Sequence, residues 1–400
     1  MKPIACIGFA EALSAPEVAW SLRDAGFDVH AFGRRDRRSP LRHSNSATVI
    51  DVTAPEVDIS ATIGELAALL SHFGSDTAAQ RVFFPLDDAS LHVSTRLSLP
   101  PNWRLVGPSG DPATIALDKT RQTQLALEAG FAVPQTSVAD HTADVIARKA
   151  ELPLILRPAQ SVIVANGRIQ KGQNWICADE TELDRALQQW KEAWPLLVQP
   201  FVAGVGEGVF GLATGSGVHA WSGHRRVRMM NPHGSGSSAC VSQVVSEETK
   251  EHVKSFIARA GWSGLFMVEL LRDTKGRIWF VEFNGRPWGS LALSRRQGFE
   301  YPAWAACSAL GTALPDSSVS AATAPVLCQN AGRELMHLMF LLRGPKSRGL
   351  AHWPSFWRTL AAMLWPGLQR KFYNWRRSDP KVFFLDSFYT VRSNLLKSRG

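Results

Sequence analysis

Two short apolar segments in the second half of the chain each carry one acid, and a further polar residue follows the second acid. Glu269 interrupts residues 266–270, and Glu282 interrupts residues 279–283, with Asn284 next. Side chains of a strand alternate between its faces, so Glu282 and Asn284 point the same way and a hairpin returns Glu269 beside them. Unpaired carboxylates are costly to bury, and carboxylates are usual ligands of magnesium. The pattern predicts a metal site, unless both acids lie on a solvated edge.

Basic residues occur earlier in the chain at positions that could meet an anion. Lys119 follows Asp118 at the start of a helical pattern, and Arg157 ends an apolar strand. A further group, Arg225, Arg226 and Arg228, comes directly before a Gly/Ser-rich segment at 231–238. That segment is too rich in glycine and serine to hold one conformation unaided, so we expect a loop that can close over a site.

The order of these segments resembles the ATP-grasp superfamily, in its carboxylate–amine ligase and carbamoyl-phosphate-synthase-like branch. The similar segments are Asp118-Lys119, the sequence LILRP at 154–158, VQPFV at 198–202, Glu207, the arginine group, the three metal-site residues, and RPWGSL at 286–291. The similarity extends over about residues 1 to 312. Arg157 stands where the superfamily usually has lysine, and Pro200 stands where an acid is frequent.

The resemblance implies ATP and Mg²⁺ (or Mn²⁺) as cofactors and a role for each residue. Metal ligands would be Glu269, Glu282 and Asn284. Residues that bind the nucleotide would be Lys119, Arg157, Gln199, Phe201, Val202 and Glu207. Arg286 with Arg226 or Arg228 would stabilise the charge of an acyl-phosphate.

The implied reaction is ATP-dependent ligation of a small-molecule carboxylate to an amine or thiol through that acyl-phosphate. Two alternatives stay open at this point. One is an ATP-grasp phosphotransferase that stops at a phosphorylated product. The other is a weakly catalytic nucleotide-binding module, peripheral at a membrane.

The elements that must position these residues predict an α/β fold. Alternating strands and helices in residues 1–110 indicate an open parallel sheet, the domain that precedes the ATP-grasp fold in the resemblance. Residues 111–312 would form the two ATP-grasp subdomains, 111–202 and 203–312. Within them we predict one helix at 113–129 and three strand-like runs between 207 and 228. Residues 313–400 would be a helical, basic, Trp-rich extension.

Composition narrows the class of protein and its partners. Of 400 residues, 45% are hydrophobic and 20% charged, which is typical of globular chains. The five cysteines are scattered singly, which favours a reducing, cytoplasmic setting over a disulfide framework or zinc site. Residues 335–400 hold twelve Lys/Arg and two acids, so they account for the net charge of +9. No nucleic-acid motif accompanies this charge, and nucleic acid is not expected as a partner.

The basic extension allows two interpretations. Trp353, Trp357, Trp365 and Trp375 lie among its basic residues, a composition that suits weak contact with an anionic membrane surface. The alternative is a helical element that packs on the body, hides the tryptophans and leaves a basic rim.

Overall fold

The computed structural model describes residues 2–73, 79–234, 236–314, 324–345, 353–364 and 370–397. The described residues form three sheets of four or more strands and a short hairpin, with helices packed on the sheets. Among the described helices, none combines the length and the apolar character needed to cross a bilayer.

The N-terminal domain is a five-stranded parallel sheet, as the alternating pattern predicts. Its strands lie in the order β3-β2-β1-β4-β5. From β1 the chain first adds β2 and β3 on one side and then β4 and β5 on the other. The strand order therefore reverses between β1 and β4, and open sheets tend to bind ligands at such a point. The elements are β1 (Ile4–Gly8), α1 (Ala15–Asp24), β2 (Asp28–Arg34), β3 (Thr48–Val52), α2 (Ile59–His72), β4 (Arg81–Pro85), α3 (Asp88–Ser94) and β5 (Trp103–Leu105).

The helix predicted at 113–129 is in fact two helices, α4 (Gly110–Leu117) and α5 (Lys119–Glu128). Asp118 lies between them with extended backbone angles, and its carboxylate accepts hydrogen bonds from the N–H groups of Thr120 (2.9 Å) and Arg121 (3.0 Å). An aspartate in this position caps a helix by satisfying its first free donors. Lys119 therefore opens a new helix.

The second sheet is antiparallel and has the order β10-β7-β11-β6. Its strands pack on α7 through a core that includes Leu156, Leu183 and Trp190. A separate hairpin turns at Asn166 and Gly167, with positive φ at both residues. The elements are β6 (Ser137–Ala139), α6 (Thr142–Ile146), β7 (Leu154–Pro158), β8 (Ile163–Ala165), β9 (Arg168–Gln170), β10 (Trp175–Cys177), α7 (Glu180–Trp190) and β11 (Leu196–Pro200).

The third sheet has the order β16-β15-β12-β13-β14-β17-β18, and its last two strands, β17 (Leu327–Gln329) and β18 (Arg370–Phe372), belong to the C-terminal region. The three runs predicted between 207 and 228 are two long strands, because the chain continues through Gly223 without a break. The predicted Gly/Ser loop ends earlier than expected, since β14 begins at Ser237; Ser235 lies outside the described residues. The elements are β12 (Gly204–Thr214), β13 (Gly217–Met229), β14 (Ser237–Gln243), α8 (Glu247–Arg259), β15 (Gly264–Asp273), β16 (Ile278–Asn284), α9 (Leu291–Arg296) and α10 (Tyr301–Ala309).

The described residues of the C-terminal region are largely helical, as predicted, but they also continue the third sheet beyond the boundary expected at residue 312. The elements of this region are β17 (Leu327–Gln329), α11 (Ala331–Arg343), α12 (Phe356–Leu364), β18 (Arg370–Phe372) and α13 (Pro380–Lys397). The region is fastened to the N-terminal domain as well. Trp20 donates a hydrogen bond to Asp379 (3.1 Å), and Arg376 pairs with Asp24 (2.7 Å).

Candidate functional site

The two acids singled out from the sequence lie directly opposite each other on adjacent strands. Glu269 of β15 is the cross-strand partner of Glu282 of β16, and the register shifts by a bulge immediately after Glu269. Asn284 follows two residues along β16 and is buried. Like charges opposite each other destabilise a sheet. The pair therefore needs cations, and three different parts of the chain supply them.

Two of these cations contact Glu282 from outside the third sheet. The Lys119 ammonium lies 3.8 Å from one carboxylate oxygen and donates to the Ser161 hydroxyl at 2.8 Å. The Arg157 guanidinium, on β7 of the second sheet, lies 3.3 Å from the other oxygen and also donates to the Val281 carbonyl. Glu282 thus joins two subdomains across the space between their sheets.

Gln122, which the sequence analysis did not single out, fixes this geometry. Its side-chain amide donates to the carbonyl of Phe283 and accepts from the N–H of Phe283, both at 3.0 Å. Gln122 is fully enclosed and lies one turn after Lys119 on α5. The helix that carries Lys119 is therefore held to the strand that carries Glu282. A buried glutamine on a helix gives no signal in one sequence that its partner is a distant strand.

The third cation, Arg226, reaches Glu269 by crossing a neighbouring strand. Arg226 lies on β13 and Glu269 on β15, with β12 between them, and the guanidinium is 2.6 Å from the carboxylate. Gly206 of β12 makes the crossing feasible, because a Cβ at that position would lie 2.6 Å from Cδ of Arg226. The Arg226 Nε–H has no hydrogen-bond partner and is buried.

Arg228, two residues further along β13, is occupied elsewhere. Its guanidinium forms a two-point ion pair with Glu334 of α11, with Nε 2.8 Å and Nη2 2.6 Å from one carboxylate oxygen. Arg228 was one of two arginines expected to stabilise an acyl-phosphate, but its guanidinium is already paired with a carboxylate. Beside this pair, Arg333 of α11 donates to the Ser237 carbonyl at 3.0 Å, and it too was missed from the sequence.

Arg286 connects the site to the N-terminal domain. It binds Asp88, directly after the Asp87 cap of α3, through two hydrogen bonds of 2.9 and 3.1 Å. Burial alone would raise the pKa of Asp88, but Arg286 and Lys119 outweigh it and hold the pKa below its usual range. The Asp88 carboxylate therefore stays charged near neutral pH, and it lies close enough to Lys119 for the two opposite charges to attract each other.

Gln199 and Phe201, expected around the adenine, already make hydrogen bonds within the protein. The Gln199 amide donates to the Thr136 hydroxyl (2.8 Å), and the Phe201 N–H donates to the Pro153 carbonyl (2.8 Å). The Phe201 carbonyl and the backbone of Val202, which follows in the loop before β12, are further groups that a ligand could use.

Glu207, expected to bind ribose, forms a two-point ion pair with Arg272 of β15, at 2.7 and 3.0 Å, and is buried. Arg272 also lines a cavity of about 410 Å³ together with Phe131 and His252. None of the site residues predicted from the sequence lines that cavity. A ribose hydroxyl would have to share Glu207 with Arg272.

The donor set fits magnesium better than a transition metal. Within the described part of the chain, no group of three or more His, Cys, Asp or Glu side chains is placed to hold an ion. Glu269 and Glu282 offer two carboxylates, both partly accessible. The Asn284 amide lies two residues after Glu282 on β16. Mg²⁺ is commonly held by one or two carboxylates, with waters and substrate phosphates completing its shell. A site of this size would be complete only with a phosphate ligand present.

No protein-family model and no curated protein matches the sequence, whereas solved structures match the fold. N5-carboxyaminoimidazole synthetase from Staphylococcus aureus is 15% identical, with a TM-score of 0.62 over 84% of this chain and 83% of that one. L-amino acid ligase from Bacillus licheniformis is 16% identical, with a TM-score of 0.61 over 81% and 78%.

A third similar structure is the biotin carboxylase domain of the Hydrogenobacter thermophilus 2-oxoglutarate carboxylase, in complex with MgADP and bicarbonate. It is 17% identical, with a TM-score of 0.62 over 81% of this chain and 73% of that one. Identity at this level speaks for the fold alone. The resemblance seen in the order of sequence segments is thereby confirmed at the level of fold: the chain has the ATP-grasp fold, with an α/β domain before it.

Proposed function

We propose that the protein is an ATP-dependent ligase that activates a small carboxylate as an acyl-phosphate and transfers the acyl group to an amine or thiol. The observation that carries the proposal is the opposed pair Glu269 and Glu282, with cations from α5, β7 and β13 converging on it. Transfer of a phosphoryl group relies on positioning and charge stabilisation, which such a cluster supplies.

In this proposal Lys119 and Arg157 hold the phosphates of ATP between the second and third sheets. Glu269, Glu282 and Asn284 hold Mg²⁺ (or Mn²⁺), which supplies positive charge at the phosphoryl oxygens. Each cation now paired with Glu282 would exchange that carboxylate for a phosphate. Arg157 can grip two phosphate oxygens at once, which a lysine cannot do.

Arg226 and Arg286 are the residues proposed to face the carboxylate substrate. Arg226 has a free, buried Nε–H beside Glu269. Arg286 brings the Asp88 carboxylate of the N-terminal domain to the site, and an acid there suits an approaching amine. Arg228 is already paired with Glu334. We therefore assign it to holding α11 against β13, and not to binding the substrate.

The test is a screen for ADP release over pairs of small carboxylates and amines, with mass spectrometry of the products. Hydroxylamine added to an active mixture should trap the acyl-phosphate as a hydroxamate. Phosphorylated product without hydroxamate would make the protein a phosphotransferase. Nucleotide binding without turnover on any pair would favour a binding module.

A further inference from the structure

The C-terminal helices leave large apolar side chains in solvent although the region is packed on the body. Every described aromatic residue among the exposed large hydrophobic side chains lies between 357 and 388: Trp357 (75% exposed), Trp375 (42%), Phe384 (64%) and Phe388 (55%). The expectation that packing would hide the tryptophans is wrong for Trp357 and Trp375. Trp353 is half-buried, and Trp365 lies outside the described residues.

On α13 these side chains form one continuous face, the α13 stripe, defined as Lys381, Phe384, Phe388, Arg392 and Leu396. Its members are three or four residues apart, so they lie along one side of the helix, and all five are exposed. The same helix buries Val382 and Asp386, and Asp386 accepts a hydrogen bond from Asn330 at 2.9 Å.

The orientation of α13 is fixed by close packing on α11. A Cβ at Gly332 of α11 would lie 2.8 Å from Cα of Ser387, so the two backbones approach as closely as a glycine permits. The outward direction of the stripe therefore follows from the packing of the opposite side. The neighbouring helices also have outward apolar residues: Leu335 and Leu342 on α11, and Trp357 and Leu364 on α12.

The exposed charge in this region has one sign. The only two acids after residue 334, Asp379 and Asp386, are both buried. The exposed charged side chains described there are all basic: Arg343, Arg358, Lys371, Arg377, Lys381 and Arg392. Aromatic residues beside basic ones, with no exposed acid, are complementary to a surface that is apolar beneath an anionic layer.

We propose that the α13 stripe docks the protein on membranes rich in anionic phospholipid, with Phe384 and Phe388 entering the interface and Lys381 and Arg392 facing the headgroups. A second copy of the chain fits less well. A two-fold interface places the same patch on both partners, so Lys381 and Arg392 would enter it twice over, with no exposed acid of this region to pair with them. The proposal is independent of the reaction proposed above.

The experiment is flotation of the full chain with vesicles of phosphatidylcholine alone or of phosphatidylcholine mixed with phosphatidylglycerol. We expect binding to the mixed vesicles only, decreasing as salt is raised, because screening shortens the range of the attraction. The double variant Phe384→Ser/Phe388→Ser should bind at least about tenfold more weakly. The matched control, Leu127→Ser/Val244→Ser, removes two apolar residues elsewhere that are at least as exposed and should bind like the parent.

Thermal unfolding of each variant separates loss of the surface from loss of the fold, because the stripe is exposed and its serine variant should keep the parental melting temperature. Absence of binding to the mixed vesicles at low salt would overturn the proposal. So would equal binding by the phenylalanine variant, since diffuse charge alone would then be responsible. A parental dimer that becomes a monomer in that variant, by sedimentation velocity, would instead assign the stripe to self-association and also overturn it.

Discussion

Glu282 has two cationic partners from different subdomains, and this arrangement sets what Arg157 should contribute. The guanidinium is almost fully enclosed, so its charge is little screened by solvent. If it exchanges Glu282 for a phosphate, Arg157→Ala should weaken nucleotide binding by about 1.5–3 kcal/mol, the usual value for a hydrogen bond to a charged group. Arg157→Lys keeps the charge and should lose less. Calorimetry with a non-hydrolysable ATP analogue measures both.

Arg185→Ala, on the exposed side of α7, is the control for removing an arginine from the same subdomain. Equal losses for Arg157→Ala and Arg157→Lys would show that the charge of residue 157 does not meet the nucleotide.

A second prediction at the scale of one residue concerns His224 and the pH dependence of stability. It is buried beneath Phe210 and bonded through Nδ1 to the Ser290 hydroxyl (2.8 Å), and burial, with Arg226 nearby, lowers its pKa from 6.5 to about 3. The unfolded chain can take up the proton and the folded one resists it. Stability due to this residue is thus complete above pH 6.5 and falls by up to about 1.4 kcal/mol per pH unit as the pH drops towards 3.

Urea unfolding at pH 7 and pH 4.5 should show a steeper loss of stability for the parent than for His224→Asn. The comparison matters because other groups titrate in both proteins alike. Identical pH slopes would mean that His224 takes its proton in the folded state.

At the scale of elements, the central strand β12 controls where Arg226 can go. Gly206→Ala would place a methyl group in the path of the Arg226 side chain and displace it from Glu269. With the substrates found by the screen, we expect ADP formation to fall about tenfold or more, equivalent to about 1.4 kcal/mol of activation free energy. The melting temperature should change little, since the displaced group is a flexible side chain.

Gly64→Ala on α2 serves as the control, because a Cβ there would have no heavy atom within 4 Å apart from its chain neighbours and the backbone of its own helix. Unchanged turnover in Gly206→Ala would argue that Arg226 has no part in the reaction.

The elements also show which parts of the fold a single sequence reveals. Strands β15 and β16 were predictable within two or three residues from the apolar segments at 266–270 and 279–283, because each segment is strongly apolar apart from its one acid. Strand β14 was not, since Ser237 and Ser238 continue a Gly/Ser-rich segment and the strand forms only because β13 and β17 flank it. Tertiary context overrides local propensity in such segments.

At the scale of the whole molecule, the contacts that assemble the site join residues far apart in the chain. Asp88 and Arg286 are separated by 198 positions and Gln122 and Phe283 by 161. Residue types and order could predict Glu269, Glu282 and their cations as members of one site. They could not predict that Arg228 forms an ion pair with Glu334, because that pairing depends on where α11 packs.

The same contacts underlie the central proposal, that a magnesium nucleotide binds between the second and third sheets. The most direct test is the Mg²⁺ dependence of binding of a non-hydrolysable ATP analogue, measured by calorimetry for the parent and Glu282→Gln. In the parent, Mg²⁺ should strengthen binding. In Glu282→Gln that gain should shrink about tenfold or more, while binding without Mg²⁺ should be equal or tighter, because Lys119 and Arg157 are released from the carboxylate. The same gain from Mg²⁺ in both proteins, or no nucleotide binding by the parent, would contradict the account.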